Sequence, residues 1–285
     1  MKCFYHSDMD GKCAGAIVYK YYLIDRERTR ETADSEFISI NYKDEFPFEK
    51  IKPGELVVIV DFSLQRDGEF QKLLEITDNV IWIDHHKTAI EKHGDLDIKG
   101  LREDGVAGCV LTWEFFYPGK LVPPVVTLLG DYDIWAFKYG EDTNRLQTGI
   151  RLYDTRPESM EWHDWLKSSY WPKEEIEKGE IAMQYRDKTW ASMVKSWSFL
   201  TEIEGYKAIA CNAGSVSSQL FDSITEDYDI MMPFVFDGTQ WTVSLYTKKD
   251  IDVSEIAKKY GGGGHKKAAG FQCKELPFSE SEVMV

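Results

Sequence analysis

The run Val80-Ile81-Trp82-Ile83-Asp84-His85-His86 ends four apolar residues on an acid and two adjacent histidines. A strand with that ending lays carboxylate and imidazole groups along the carboxyl edge of a sheet, where open α/β folds bind their ligands. Two upstream segments repeat the pattern: Phe4-Tyr5-His6-Ser7-Asp8-Met9-Asp10-Gly11 and Leu56-Val57-Val58-Ile59-Val60-Asp61. Near-continuous apolar strands belong to a sheet covered on both faces. Strands that end in such donors point to a metal site.

Working outward, strands over 2–5, 37–41, 56–61 and 80–84 alternate with helices over 12–23 and 67–76, the order of a parallel α/β domain. Helices are then expected at 106–116, 123–129, 143–152 and 160–166. The segment 172–196 opens on Pro172, has acids in its first turn and bases toward its end, the boundary signals of a helix. Strands resume at 198–203, 207–212, 230–236 and 239–246, with a hairpin signal at Phe236-Asp237-Gly238-Thr239. The expected division is a parallel-sheet domain over 1–171, a connecting helix over 172–197, a smaller α/β domain over 198–276 and a tail over 277–285.

A length of 285 residues favours two domains over one. The 49 acidic against 34 basic side chains give a net charge of -15, which disfavours binding along a long duplex. A short anionic substrate remains compatible, because a bound divalent cation neutralises phosphate locally. One stretch is basic: Lys248, Lys249, Lys258, Lys259, Lys266 and Lys267 outnumber Asp250, Asp252 and Glu255. There is no apolar run of about 18 residues and no signal-peptide layout, so a soluble, cytoplasmic protein without a membrane partner is expected. Cys3, Cys13, Cys109, Cys211 and Cys273 are scattered and never spaced CxxC. They read as buried thiols.

His6 and Asp8 alternate, so in an extended chain they share a face, and the following turn brings Asp10 close. One imidazole with two carboxylates suits Mn²⁺, Mg²⁺ or Fe²⁺ better than a structural zinc; capping of the next helix is the alternative. Asp61 alone is equally a turn residue. His85 is a candidate metal ligand with Asp84 orienting it, which leaves His86 to touch phosphate or assist proton transfer. Asp131 and Asp133 follow an apolar helix and could close the site. Gly261 to Gly264 lack Cβ atoms, so their N–H groups can approach an anion, with His265 and lysines as further donors; a flexible turn is the alternative. Trp135 and Tyr246 are candidate base-stacking residues, whereas other aromatics default to core.

In order, His6-x-Asp8-x-Asp10-Gly11, Val60-Asp61-Phe62-Ser63, Asp84-His85-His86 and Gly130-Asp131-x-Asp133 resemble the four motifs of the DHH phosphoesterase superfamily. The segment from Asp252 to Phe271, including Gly261-Gly262-Gly263-Gly264-His265, is similar to the glycine-rich signature of the associated DHHA1 domain. This resemblance runs from residue 2 to about residue 273. It implies a first domain holding two Mn²⁺ ions, with Mg²⁺ or another divalent ion as the alternative, and an active site in the cleft between the two domains. His6 and Asp8 would bind one ion, Asp10 and His85 the other, and Asp61 would bridge them. Asp131 is the preferred fourth-motif ligand and Asp133 its alternative. His86, Asp84 and Asp61 would serve catalysis, with metal-activated water attacking phosphorus. Gly262, Gly263, Gly264, His265, Tyr246 and Lys248 would bind substrate.

The implied activity is a Mn²⁺-dependent phosphodiesterase of the oligoribonuclease or cyclic-nucleotide phosphodiesterase branch. It would release mononucleotides from short RNA or DNA oligonucleotides or from linear or cyclic dinucleotides. A RecJ-like single-strand exonuclease and a non-catalytic nucleotide-binding regulator are the alternatives, and homodimerisation is left open. One departure concerns the substrate: relatives that cut short oligonucleotides often carry Ser-Leu-Arg-Ser where this chain has Ser244-Leu245-Tyr246-Thr247. Tyr246, Lys248 or Lys249 would have to substitute, and lysine lacks arginine's planar fork.

Overall fold

In the computed structural model, which describes residues 1–26, 32 and 34–278, the four N-terminal strands form one parallel sheet. β1 (Lys2–His6), β2 (Glu36–Ile40), β3 (Val57–Val60) and β4 (Val80–Ile83) lie in the order β2-β1-β3-β4. The chain leaves β1 through α1 (Met9–Tyr19) to reach β2, returns past β1 to β3, and passes through α2 (Glu69–Ile76) to β4. Crossovers therefore depart in opposite directions from the β1–β3 pair, the switch point at whose carboxyl edge such sheets hold ligands. The register pairs Tyr5 with Val60 and Val60 with Ile83. His6, Asp61 and Asp84 follow one residue later, on strands spaced about 4.8 Å apart.

Both faces of the sheet are buried, which is why its strands read as unbroken apolar runs. Tyr5, Val58, Val60 and Ile83 pack with Ile17, Leu111 and Leu129, from α1, α4 (Gly108–Phe116) and α5 (Pro124–Asp133). Phe4, Val57, Ile59 and Trp82 pack on the other face with Phe70, Leu73 and Ile98.

Several boundaries differ from the sequence expectation. α1 begins at Met9 instead of residue 12 because Asp8 caps it, its Oδ1 accepting the Gly11 N–H at 2.9 Å. α3 (Lys87–His93) was not foreseen; it buries only Ala89 and His93 and so has no apolar stripe. α5 continues past residue 129 to Asp133. Gly130 lies inside the helix as a packing residue: a Cβ there would lie 2.7 Å from Val110 Cγ2 of α4. α6 (Glu141–Gly149), α7 (Glu161–Trp165) and α8 (Lys173–Trp197) follow.

The chain divides into two compact units, Met1–Met183 and Gln184–Val285, at a point inside α8. The second unit holds a mixed sheet of β5 (Ser198–Ile203), β6 (Tyr206–Asn212), β7 (Ile230–Phe236), β8 (Trp241–Tyr246), β9 (Gly263–His265) and β10 (Ala268–Cys273). The order is β5-β6-β7-β8-β10-β9. α9 (Val253–Lys259) covers one face through Val253 and Ile256, and Val194, Leu220 and Phe221 cover the other. The glycine-rich stretch is thus only partly a turn, since Gly263–His265 pairs with β10 at the sheet edge. Of the expected tail, only Pro277 and Phe278 lie within the described residues. All five cysteines are free. Among the described residues no helix is long and apolar enough to cross a membrane.

Candidate metal centre

The carboxyl edge of the first sheet gathers most of the expected donors. Asp8 caps α1 through Oδ1, while its Oδ2 lies 2.7 Å from His6 Nδ1, beside the other donors. The turn between them is tight, and a Cβ at Gly11 would meet the His6 carbonyl oxygen at 2.2 Å. Asp10 is buried in the first turn of α1, and the free N–H groups at the start of α4 hold it. Gly108 donates to its Oδ2 at 2.7 Å and Cys109 to its Oδ1 at 2.9 Å.

Asp61 is the centre of the arrangement. Its φ of +53° is left-handed, a conformation that non-glycine residues hold at a cost of about 1–3 kcal/mol and mostly at functional sites. Its carboxylate is 1% exposed, and neither oxygen has a hydrogen-bond partner. Oδ2 faces His6 Nδ1 at 3.7 Å and Oδ1 faces His85 Nε2 at 3.2 Å. His85 Nε2 also stands 3.4 Å from Asp133 Oδ2 and 3.9 Å from Asp10 Oδ2. Three overlapping donor groups result, His6–Asp8–Asp61, Asp10–His85–Asp133 and Asp61–His85–His86, each with its donor atoms within 4.8 Å of one another.

These residues fit a divalent metal. Both Asp61 oxygens are buried without a hydrogen bond and face imidazole nitrogens only at 3.2 and 3.7 Å, and a buried carboxylate so incompletely paired is unfavourable. A cation among these groups would satisfy both oxygens. Carboxylate oxygens with imidazoles suit Mn²⁺, Mg²⁺ or Fe²⁺.

Electrostatics carry the same imprint. Burial first, then repulsion from Asp8 and Asp133, pushes Asp61 up to about 8 against the pull of His6. Burial and the Asp61 charge raise Asp10, and burial and the Asp10 charge raise Asp133. Burial disfavours a His6 imidazolium, but Asp61 and Asp8 outweigh it and raise His6 to about 10. A carboxylate raised on folding contributes stability that is present below its unfolded pKa, near 4, and lost as pH rises through its folded value, near 8 for Asp61. His6 has the same sign, its contribution being lost as pH rises from about 6.5 through about 10. Metal-free protein should therefore lose stability between pH 5.5 and 8, and the gain in melting temperature on adding Mn²⁺ should be larger at pH 8. Melts in EDTA and in Mn²⁺ at both pH values check this; an equal gain at both would remove the acidic cluster as the binding site.

Two expectations are corrected. Asp131 was the preferred fourth-motif ligand, yet it lies outside every donor group. Its carboxylate accepts the Lys138 N–H at 2.9 Å and the Thr143 hydroxyl at 2.6 Å. Because α5 runs through Asp133, the two acids point about 200° apart around the helix, and Asp133 is the one at His85. Asp84 was expected to orient His85; instead its Oδ1 lies 2.7 Å from His86 Nδ1 and accepts the His85 backbone N–H at 2.8 Å.

Sequence reading missed Tyr42. Its hydroxyl is 3.0 Å from His86 Nε2 and its ring stacks on Phe62 with centroids 5.2 Å apart. With Nδ1–H assigned to Asp84, Nε2 is left to accept the Tyr42 hydroxyl proton. Tyr42 sits just past the end of β2 and offers a hydroxyl, not the carboxylate or imidazole that marks the other strand ends of this sheet.

In the second unit, Gly262 and Gly264 are required by packing: Cβ atoms there would meet Gly270 O at 2.1 Å and Ala269 Cα at 2.5 Å. A Cβ at Gly263 would meet nothing within 4 Å, and His265 is exposed. Tyr246 is half-buried against the Met231 and Phe221 cluster. The basic stretch is neutralised, contrary to its sequence count. Lys248 pairs with Asp222, Lys249 with Asp227 and Asp229, Lys258 with Glu255, Lys259 with Glu204 and Lys266 with Asp250. Lys267 donates to the Lys249 carbonyl.

Comparison with known proteins gives the class. Residues 3–129 match the DHH family, N-terminal domain, and residues 206–283 match the DHHA1 domain. The chain thus carries a DHH-family N-terminal domain in its first half and a DHHA1 domain in its second. It is 28% identical over 247 residues to an uncharacterized protein of Acanthamoeba polyphaga mimivirus, covering 81% of this chain and 55% of that one. The chain thus spans about half the length of that relative. It is 24% identical over 283 residues to the bifunctional oligoribonuclease and PAP phosphatase NrnA of Mycoplasma genitalium, covering 94% of this chain and 86% of that one. Among solved structures, the pGpG-specific phosphodiesterase PggH of Vibrio cholerae matches with a TM-score of 0.55 at 14% identity, covering 96% and 93% of the two chains. At that identity the likeness is one of fold.

Proposed function

We propose that this protein is a metal-dependent phosphodiesterase that hydrolyses short oligonucleotides or dinucleotides to mononucleotides, with Mn²⁺ as the preferred ion. The observation that carries the reading is Asp61, a buried, incompletely paired carboxylate with one oxygen turned toward His6 and the other toward His85. The DHH-family domain and the oligoribonuclease named among the relatives support a nucleotide substrate.

In this reading His6 and Asp8 would hold one ion, Asp10, His85 and Asp133 would hold the other, and Asp61, with one oxygen toward each group, would contribute to both. Bound ions supply charge to clamp a phosphate and lower the pKa of water. His86 is held at Nδ1 by Asp84; where the Tyr42 hydroxyl gives up Nε2 and the ring is protonated, the Nε2–H is free to donate to a phosphate oxygen or to return a proton to the leaving oxygen. Residues 1–171 form the catalytic domain, 172–197 the connecting helix and 198–276 the substrate domain, where Gly263 and His265 contact the substrate. Free cysteines suit a reducing cytoplasm.

The test is to incubate the full chain with 5'-labelled dinucleotides, longer oligonucleotides, cyclic dinucleotides and PAP in Mn²⁺, Mg²⁺ or EDTA. Metal-dependent release of mononucleotides, fastest from the shortest linear substrates, is expected. Preferential digestion of long single strands would favour the exonuclease alternative. Metal binding without turnover of any substrate would leave a nucleotide-binding regulator.

A further inference from the structure

Trp135 lies two residues beyond Asp133 and is 62% exposed. Its φ of +57°, and the +49° of Phe137, are left-handed, a region that bulky side chains rarely adopt. An exposed indole in a disfavoured backbone conformation contributes nothing to a core, so the fold has no use for it that a smaller residue could not meet.

The loop is nonetheless firmly built. The Trp135 N–H donates to Tyr132 O at 3.0 Å, and the Ala136 N–H to Asp131 O at 3.0 Å. The Asp131 carboxylate ties down the far side of the loop through the Lys138 N–H and the Thr143 hydroxyl. Tyr132 and Phe137 meet the indole at interplanar angles of 70° and 80°, with centroids 5.3 and 4.7 Å away. They brace the indole without enclosing it. Strained residues fixed this firmly cluster at ligand-binding sites, and this one directly follows the helix that delivers Asp133 to His85. Trp135 is only two residues along the chain from Asp133, at most about 7 Å between Cα atoms, a span within reach of the base of a nucleotide held at that group, and base–aromatic stacking is tolerant of sequence because every base offers a π-face.

We propose that Trp135 is a nucleobase-stacking platform that makes the site prefer base-bearing over base-free phosphodiesters, with Asp131 as the residue that positions it. The proposal rests on the phosphodiesterase reading above for its choice of substrate.

A hydrolysis-resistant phosphorothioate diadenylate and its abasic counterpart would be titrated in Mn²⁺ into the wild type, Trp135→Ala and Trp135→Phe. Wild type should prefer the base-bearing probe by about tenfold; Trp135→Ala should lose that preference and Trp135→Phe keep most of it, with abasic binding equal in all three. An unchanged ratio in Trp135→Ala, or no binding of either probe to wild type, overturns the platform. Turnover of unmodified diadenylate is read separately. A preference that Trp135→Ala abolishes, without any turnover, would sink the phosphodiesterase reading and keep the platform, whereas turnover with an unchanged ratio would do the reverse.

Discussion

Asp61→Asn should lower metal-dependent turnover at least about a thousandfold, because the loss of a shared charge removes several kcal/mol of transition-state stabilisation and each 1.36 kcal/mol is tenfold. The substitution is isosteric and exchanges one oxygen for an NH₂ group. Whichever way the amide turns, its donor faces either His6 or His85, the two nitrogens that Asp61 now approaches at 3.7 and 3.2 Å. It cannot serve both donor groups. Stability should move differently from activity. In the metal-free protein burial holds Asp61 up at about 8, and its charge raises Asp10. Removing that charge relieves the repulsion, so the metal-free melting temperature at pH 8 should not fall. Turnover within tenfold of wild type would contradict a bridging role, and a collapsed melt would assign the effect to folding.

The parallel sheet was legible because strands buried on both faces leave an unbroken apolar signature, and β1, β3 and β4 all carry it. Elements without side-chain periodicity were not legible. α3 buries two residues, and β9 consists of Gly263, Gly264 and His265, all exposed, so neither leaves an apolar pattern. The end of α5 was misjudged for a different reason. Gly130 is a poor helix residue in isolation, but α4 approaches so closely that only glycine fits there; a tertiary demand overrode a local propensity.

The same limit governs the site. His6, Asp8, Asp10, Asp61 and His85 were found because each stands at or just past the end of a legible strand. Asp131 was preferred over Asp133 on the motif match, and the local spacing did not decide between them; with α5 running through Asp133 the two acids diverge around the helix and Asp133 is the one at His85. Lysines at 248–267 looked like a basic surface because their acidic partners are distant in sequence: Glu204 for Lys259 and Asp222 for Lys248. A local charge count cannot see those pairs.

Gly108→Ala should reduce turnover about a hundredfold without unfolding the protein, since displacing a reacting group by about 1 Å can carry an effect of that size. Gly108 opens α4, and its N–H binds Asp10 Oδ2 at 2.7 Å. A Cβ there would lie 2.7 Å from Asp61 Cβ, 2.8 Å from Asp61 Oδ1 and 3.0 Å from Asp10 Oδ2. Real contacts do not tolerate such distances, so either Asp61 or the start of α4 must give way. Moving Asp61 disturbs the oxygen that faces His85; moving α4 withdraws the N–H groups that hold Asp10. Either outcome disturbs the donor group on the His85 side, and a displaced Asp61 also loosens the group it shares with His6 and Asp8. Alanine is otherwise welcome at a helix start, with better helix propensity than glycine, so the fold should persist. A metal titration should show weaker binding, with the larger loss at the event that involves Asp10 and His85. Turnover within threefold of wild type and two unaltered metal affinities would mean that the start of α4 does not press on the bridging carboxylate.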